Sequence, residues 1–147
     1  MRGPLDMNNS SPGRSGSGGC RVLVVDSNEE LARALCYAID TEPDLVSVGY
    51  CCSGEGALLK ACASAADIML LDFNLGDRNA LAVLDEAKET AATVGIIVFT
   101  GHALPELARE ARAHGAAGFV VKGIAFDELV VEIMRIFAER AAMIAGR

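Results

Sequence analysis

The sequence predicts a doubly wound α/β domain, with five parallel strands in the order 2-1-3-4-5 and helices on both faces. Three observations predict it. Short, continuous apolar runs recur at 21–25 (RVLVV), 45–50 (LVSVGY), 67–71 (DIMLL), 95–100 (GIIVFT) and 118–121 (GFVV). Stretches of helical length separate them, near 28–40, 54–64, 79–90, 104–114 and 126–142. Four of the runs end in a polar residue: Asp26, Asp72, Thr100 and Lys122. Continuous apolar runs of this length read as strands buried on both faces. Right-handed crossovers make the stated order plausible. In such a sheet, ligands bind beyond the carboxyl ends of the strands.

The elements are justified in turn. Residues 1–19 (MRGPLDMNNSSPGRSGSGG) are rich in Gly and Ser, carry no apolar period, and are expected to be a disordered tail. Residues 20–147 are expected to form one domain. Ser27-x-x-Glu30 has the form of a capping box opening the first helix. That helix places Leu31, Leu35, Ala38 and Ile39 on one face. Pro105 stands where a first-turn proline is tolerated. Gly115 follows His114 as a helix stop, and His114 suits a helix C-terminus electrostatically. Leu129, Val130, Ile133, Met134 and Phe137 make an apolar stripe on the last helix, read as core.

With 147 residues, 52% of them hydrophobic and 22% charged, the chain is long enough for one domain with a real core. The net charge of -7 argues against non-specific binding to nucleic acid or anionic membrane. No apolar stretch approaches a bilayer span, and no secretory h-region opens the chain. Five cysteines (Cys20, Cys36, Cys51, Cys52, Cys62) form no C-x-x-C pair, consistent with reduced thiols in a cytoplasm. The vicinal pair Cys51-Cys52 reads as two small apolar residues closing a strand, with a redox switch as the alternative.

The chemistry lies on the rim. With strand 1 between strands 2 and 3, Asp26 and Asp72 are lateral neighbours, Thr100 follows beside Asp72, and Lys122 beside Thr100. A carboxylate can attack a phosphoryl group and hold it as an acyl phosphate, which makes Asp72 the candidate acceptor. Magnesium takes oxygen ligands, and Asp26, Asp72 and the backbone carbonyl of Asn74 can supply three. Lys122 and Thr100 offer a point charge and a hydroxyl donor to the phosphoryl oxygens. This set suits a magnesium-assisted phosphoryl transfer.

These residues resemble the receiver domain of bacterial two-component response regulators, closest to the LuxR/NarL-type receivers. The resemblance is carried by VLVVDSNEEL, LLDFNLGDRNALAVL, IIVFTGH and GAAGFVVKG, in order, from Arg21 to about Ala142. It implies the flavodoxin-like receiver fold and a phosphorelay role. Asp72 is then phosphorylated by a histidine kinase or phosphotransfer protein. Mg2+ is the implied cofactor, Thr100 and Lys122 are the signalling residues, and Phe119 is the switch aromatic. The implied output is a protein-interaction face between Leu104 and Ala142, facing a downstream partner or a second copy of the chain.

The departures from that pattern matter. The family usually has two adjacent acids after the first strand, whereas this chain has Asp26-Ser27. The second acid usually binds the metal, so magnesium affinity should fall. Glu29 and Glu30 are candidates to compensate. The usual Pro-Gly after the acceptor becomes Gly76-Asp77, and a usual glycine becomes Ala80. A more mobile loop and added negative charge near the pocket are expected there. His102 either lines the pocket or is a solvated loop residue.

Three alternatives stand beside the phosphorylated receiver. One is a phosphorylation-independent pseudo-receiver, disabled by Ser27. Another is the receiver part of a truncated LuxR-type transcription regulator. The last is a phosphatase resembling the haloacid dehalogenases. That family expects a second aspartate two residues after the nucleophile, where this chain has Asn74.

Overall fold

The computed structural model describes residues 18–90 and 92–146, so the expected disordered tail falls, for residues 1–17, outside the described residues. The strands are β1 (Cys20–Val25), β2 (Leu45–Cys51), β3 (Ile68–Leu71), β4 (Gly95–Thr100) and β5 (Gly118–Val121). Helices α1 (Glu29–Asp40), α2 (Ala57–Ala63), α3 (Ala80–Glu89), α4 (Pro105–Ala113) and α5 (Phe126–Ala145) alternate with them. All strand pairs are parallel, in the order β2-β1-β3-β4-β5. This is the predicted doubly wound sheet.

The two-residue period of the strands divides the core into two layers. Val22, Val24, Ile68, Leu70, Ile97 and Phe99 pack with Ala32, Ile39, Leu129, Ile133 and Ile136, from α1 and α5. Leu23, Val25, Met69, Leu71, Ile96 and Val98 pack with Ala57, Ala61, Val83, Leu84 and Ala111, from α2, α3 and α4. Every residue of β3 is buried. Truncating one such leucine, for example Leu70→Ala, costs about 2–5 kcal/mol. Edge strand β2 carries a bulge opposite the Val22/Leu23 step, and Gly49 there adopts φ +124. That backbone region favours glycine.

Two local expectations are corrected. The first helix is capped by Asn28, whose side chain accepts from the Leu31 N–H at 3.1 Å, and not by a Ser27–Glu30 box. Asp26 causes the one-residue shift. Its Oδ1 accepts from the Asn28 N–H at 2.8 Å, so the turn off β1 is closed before the helix begins. Helix α2 starts at Ala57 rather than 54, because Gly56 sits at φ +78 and breaks the helical path. Pro105 occupies the first turn of α4, and Gly115 follows its C-cap His114 at φ +106, both as expected.

Candidate functional site

The register of the sheet aligns the rim. Val25 pairs with Leu71, so Asp26 and Asp72 each stand one residue beyond a matched pair. The Asp72 N–H donates to the Val25 carbonyl at 2.9 Å, and the Asp26 N–H to the Cys51 carbonyl at 3.0 Å. Thr100 pairs with Val121, which puts Lys122 one residue past it, and the Lys122 N–H donates to the Thr100 carbonyl at 2.7 Å. The four polar residues therefore gather at the carboxyl edge of four adjacent strands.

Lys122 joins the two acids. Its Nζ lies 2.7 Å from Asp26 Oδ2 and 3.5 Å from Asp72 Oδ1. It also stands 5.9 Å from the centre of the Phe99 ring, within cation–π range. Asp26 is only 2% exposed, so both of its oxygens need partners, and Lys122 and the Asn28 N–H supply them. Burial, and then the Asp26 charge, push the Asp72 carboxyl above the usual carboxylate range, with Lys122 pulling the other way. The two neighbouring carboxylates are bridged here by the Lys122 ammonium, which offsets their mutual repulsion.

The sequence-predicted residues fall out as follows. Asp26, Asp72 and Lys122 are in direct contact. Thr100 is buried, and its Oγ1 accepts from the His102 N–H at 3.3 Å. Phe119 is half-buried and packs against the α2–α4 side of the core. Asn74 begins a short bridge with Asn79. The bridge uses the Phe73 carbonyl and the Leu75 N–H, so it does not consume the Asn74 carbonyl. The Asn74 side chain accepts from the Gly76 N–H at 3.1 Å.

Other expectations change. Ser27 is exposed. Glu29 does not serve the rim, because its Oε2 accepts from the Tyr50 hydroxyl at 2.9 Å. The loop around Gly76-Asp77, expected to be looser, is tied down. Asp77 Oδ1 accepts from the Gly54 N–H and Oδ2 from the Glu55 N–H, both at 2.9 Å. The Gly54 N–H, foremost, holds the Asp77 carboxyl below the usual carboxylate range. Both carboxylate oxygens are thus engaged by the β2–α2 loop. Next to it, Arg78 bonds Glu86 at 2.9 Å and the Ala82 carbonyl at 3.2 Å. His102 is exposed, which leaves it as a loop residue. His114 Nδ1 lies 2.6 Å from Asp85, linking α4 to α3. All five cysteines are free thiols, and burial raises the pKa of both Cys51 and Cys52. That favours the apolar reading of the pair over a reactive one.

A groove of about 520 Å³ lined by Leu58, Cys62, Glu86 and Val94 lies between α2 and α3. It sits at the amino ends of the strands, away from the rim, and plays no part in this chemistry.

The model of the response regulator receiver domain matches residues 22–134. The chain belongs to the response-regulator receiver family. Among curated relatives, the nitrate/nitrite response regulator NarL of Escherichia coli K12 is 28% identical over 109 residues, which cover 74% of this chain and 50% of NarL. The chain spans about half the length of that relative. A solved two-component response regulator of the LuxR family from an Aurantimonas species superposes with a TM-score of 0.78 at 24% identity, covering 84% of this chain and 88% of that one. CheY in a CheX–CheY–BeF3–Mg complex from Borrelia burgdorferi has a TM-score of 0.72 at 22% identity, covering 80% and 89%. The chain is a receiver module of the two-component type, similar to LuxR/NarL-type receivers, on the flavodoxin-like fold. Among the described residues, no helix is long and apolar enough to cross a membrane.

Proposed function

We propose that Asp72 is the phospho-acceptor of this receiver and takes its phosphoryl group from a histidine kinase or phosphotransfer protein. The observation that carries this reading is the contact of Lys122 Nζ with both Asp26, at 2.7 Å, and Asp72, at 3.5 Å. Asp72 keeps part of its surface open where Asp26 does not, so it is the carboxylate an incoming group can reach. An Asp72 oxygen forms an O–P bond as the donor's P–N bond breaks, and the donor histidine leaves as neutral imidazole after taking up a proton. Lys122 then moves its charge toward a phosphoryl oxygen, and Thr100 supplies a hydroxyl donor.

The residues fit a hard divalent cation. Asp26, Asp72 and the Asn74 carbonyl are oxygen donors, and two of them are charged. When bound, Mg2+ would neutralise charge on the transferring group. The chain itself supplies no further acid at Ser27. Residues 20–147 act as one module. Its output is a protein surface between Leu104 and Ala142, facing an effector domain, a separate protein or a second copy. The module binds no nucleic acid, catalyses no turnover of its own and works in the cytoplasm.

Acetyl phosphate with magnesium, read by intact-protein mass spectrometry, tests the assignment. One phosphoryl adduct is expected, and Asp72→Asn abolishes it. An adduct that survives Asp72→Asn contradicts it. The pseudo-receiver stands as the second reading, because Ser27 is exposed and Lys122 already neutralises Asp26. Wild-type protein that takes no label at any magnesium concentration selects that reading.

A further inference from the structure

The acid half of the rim lies on a closed ring of backbone and hydrogen bonds. From Asp26, the N–H reaches the Cys51 carbonyl at 3.0 Å. The chain then runs from Cys51 through Cys52 and Ser53 to Gly54. The Gly54 N–H reaches Asp77 Oδ1 at 2.9 Å. From Asp77 the chain runs back through Asn74 to Asp72, whose N–H reaches the Val25 carbonyl at 2.9 Å, next to Asp26. Asp26, Asp72 and Asn74 all lie on this ring. Asp77 is the one side chain that closes it.

The arrangement of the β3–α3 loop gives that closure leverage. The Asn74–Asn79 bridge makes the loop a small hairpin, with Gly76 at φ +87 and Asp77 at its tip. The base is fixed by the Ala80 N–H on the Phe73 carbonyl, 2.7 Å, and by the buried Leu75. The tip is held to the β2–α2 loop by both oxygens of Asp77. The bonded N–H groups belong to Gly54 and Glu55, the two residues just ahead of the N-cap Gly56 of α2. Two successive backbone N–H groups in a turn suit the two oxygens of one carboxylate. Arg78 packs over Gly54, where an added Cβ would meet its Cγ at 2.5 Å, so the two loops are also in van der Waals contact.

We propose that Asp77 is a positioning residue for the phosphoryl pocket. By clamping the β3–α3 hairpin to the β2–α2 loop, it fixes where the Asn74 carbonyl stands relative to Asp26 and Asp72. The inference rests on the proposed function, since it assumes that this rim takes magnesium. Asp77 touches neither metal nor phosphoryl group. It acts through the loop, as outer partners of metal ligands do, whose removal weakens metal binding about 10–100-fold.

The test is a magnesium titration of the full chain by amide NMR, with no phosphodonor, on wild type, Asp77→Ala and Asp77→Asn. Asp77→Ala is expected to weaken magnesium roughly tenfold. Asp77→Asn loses the same charge but keeps one acceptor oxygen, so it should weaken magnesium clearly less. In metal-free protein, the Gly54 and Glu55 amides should exchange faster in Asp77→Ala than in wild type. With acetyl phosphate, the magnesium concentration for half-maximal labelling should rise while the rate at saturating magnesium is kept. A merely destabilised protein would instead lose amplitude. The surface change Glu89→Gln, which removes a remote charge, should leave the midpoint in place. Equal weakening by the alanine and asparagine variants would show a charge effect and overturn the clamp, as would an unchanged magnesium midpoint in Asp77→Ala. Wild-type protein that binds no magnesium overturns the proposed metal site, and this inference with it.

Discussion

The two halves of the rim are built differently. On the β1–β3 side, the loop after Asp72 is held by a bridge, a turn bond from Asn74, the Asp77 clamp and the Arg78 contacts. Helix α3 then starts with a side-chain cap from Asn79. On the β4–β5 side, Gly101 to Pro105 are all exposed, and α4 starts at Pro105 with N-cap Leu104 and no side-chain cap. Within that loop, the His102 N–H on Thr100 Oγ1 is a long bond of 3.3 Å. The half that would accept the phosphoryl group is fixed, and the half that would report it is loosely held. Segments that move in switching come from the low-stability end of a structure. A fixed acceptor and a compliant reporter are what a two-state switch biased by an added charge requires.

Lys122 is the tie between the halves, so its removal should have the largest effect. Lys122→Ala leaves Asp26 and Asp72 adjacent without a counter-charge. Breaking a fully buried pair costs about 3–5 kcal/mol, and because the Lys122 side chain is partly exposed we expect about 2 kcal/mol here. Magnesium should recover much of that loss, since it replaces the missing cation. Thermal melts with and without magnesium read both effects. A variant as stable as wild type without metal would mean that the acids are neutralised in another way.

Ser27→Asp sharpens the fixed half. A third carboxylate beside Asp26 and Asp72 should tighten magnesium on the order of tenfold, because hard cations are held by charge and oxygen count. Aspartate and serine are similar at helix starts, and Asn28 already caps α1, so stability should hold. Calorimetric titration of both proteins checks it. Equal affinities would mean that the wild-type pocket has found another oxygen in place of the missing acid.

Asp72→Asn is expected to have the smallest energetic effect of the three. Burial and Asp26 raise the Asp72 carboxyl above its ordinary range. An acid raised on folding adds stability below its unfolded pKa and loses that stability as pH rises through the folded value. At neutral pH, ionised Asp72 therefore weighs against the fold. Asp72→Asn should melt higher than wild type at neutral pH. The gain should vanish as pH falls below the ordinary carboxylate range. A variant that melts lower at neutral pH would show that the Lys122 contact outweighs burial.

The strands were legible because β1, β3 and β4 are buried on both faces and so read as unbroken apolar runs ending at Asp26, Asp72 and Thr100. The acid pair followed from strand order alone, whereas that order put Lys122 beside Thr100, and the reach of its side chain back to both acids had no sequence signal. The clamp did not follow from it either. Asp77 meets Gly54 and Glu55 across 23 and 22 residues, and nothing local marks it. The available signal was the Gly54-Glu55-Gly56 turn ahead of α2, whose backbone N–H groups need acceptors from elsewhere in the chain. The cap at Asn28 was missed because Ser27 also has a capping side chain, and only the Asp26 bond to the Asn28 N–H decides between them. The Glu29–Tyr50 bond crosses from α1 to β2 and has no sequence period to reveal it.

The asymmetry of the rim is tested most directly by amide hydrogen exchange, followed by mass spectrometry or NMR, with and without beryllofluoride and magnesium. The account predicts that residues 74–80 are already protected in the untreated protein and change little. Residues 101–104 and the first turn of α4 should exchange quickly at first and slow markedly once the analogue is bound at Asp72. Rapid exchange in 74–80 before treatment, or protection gained there and not in 101–104, would contradict it.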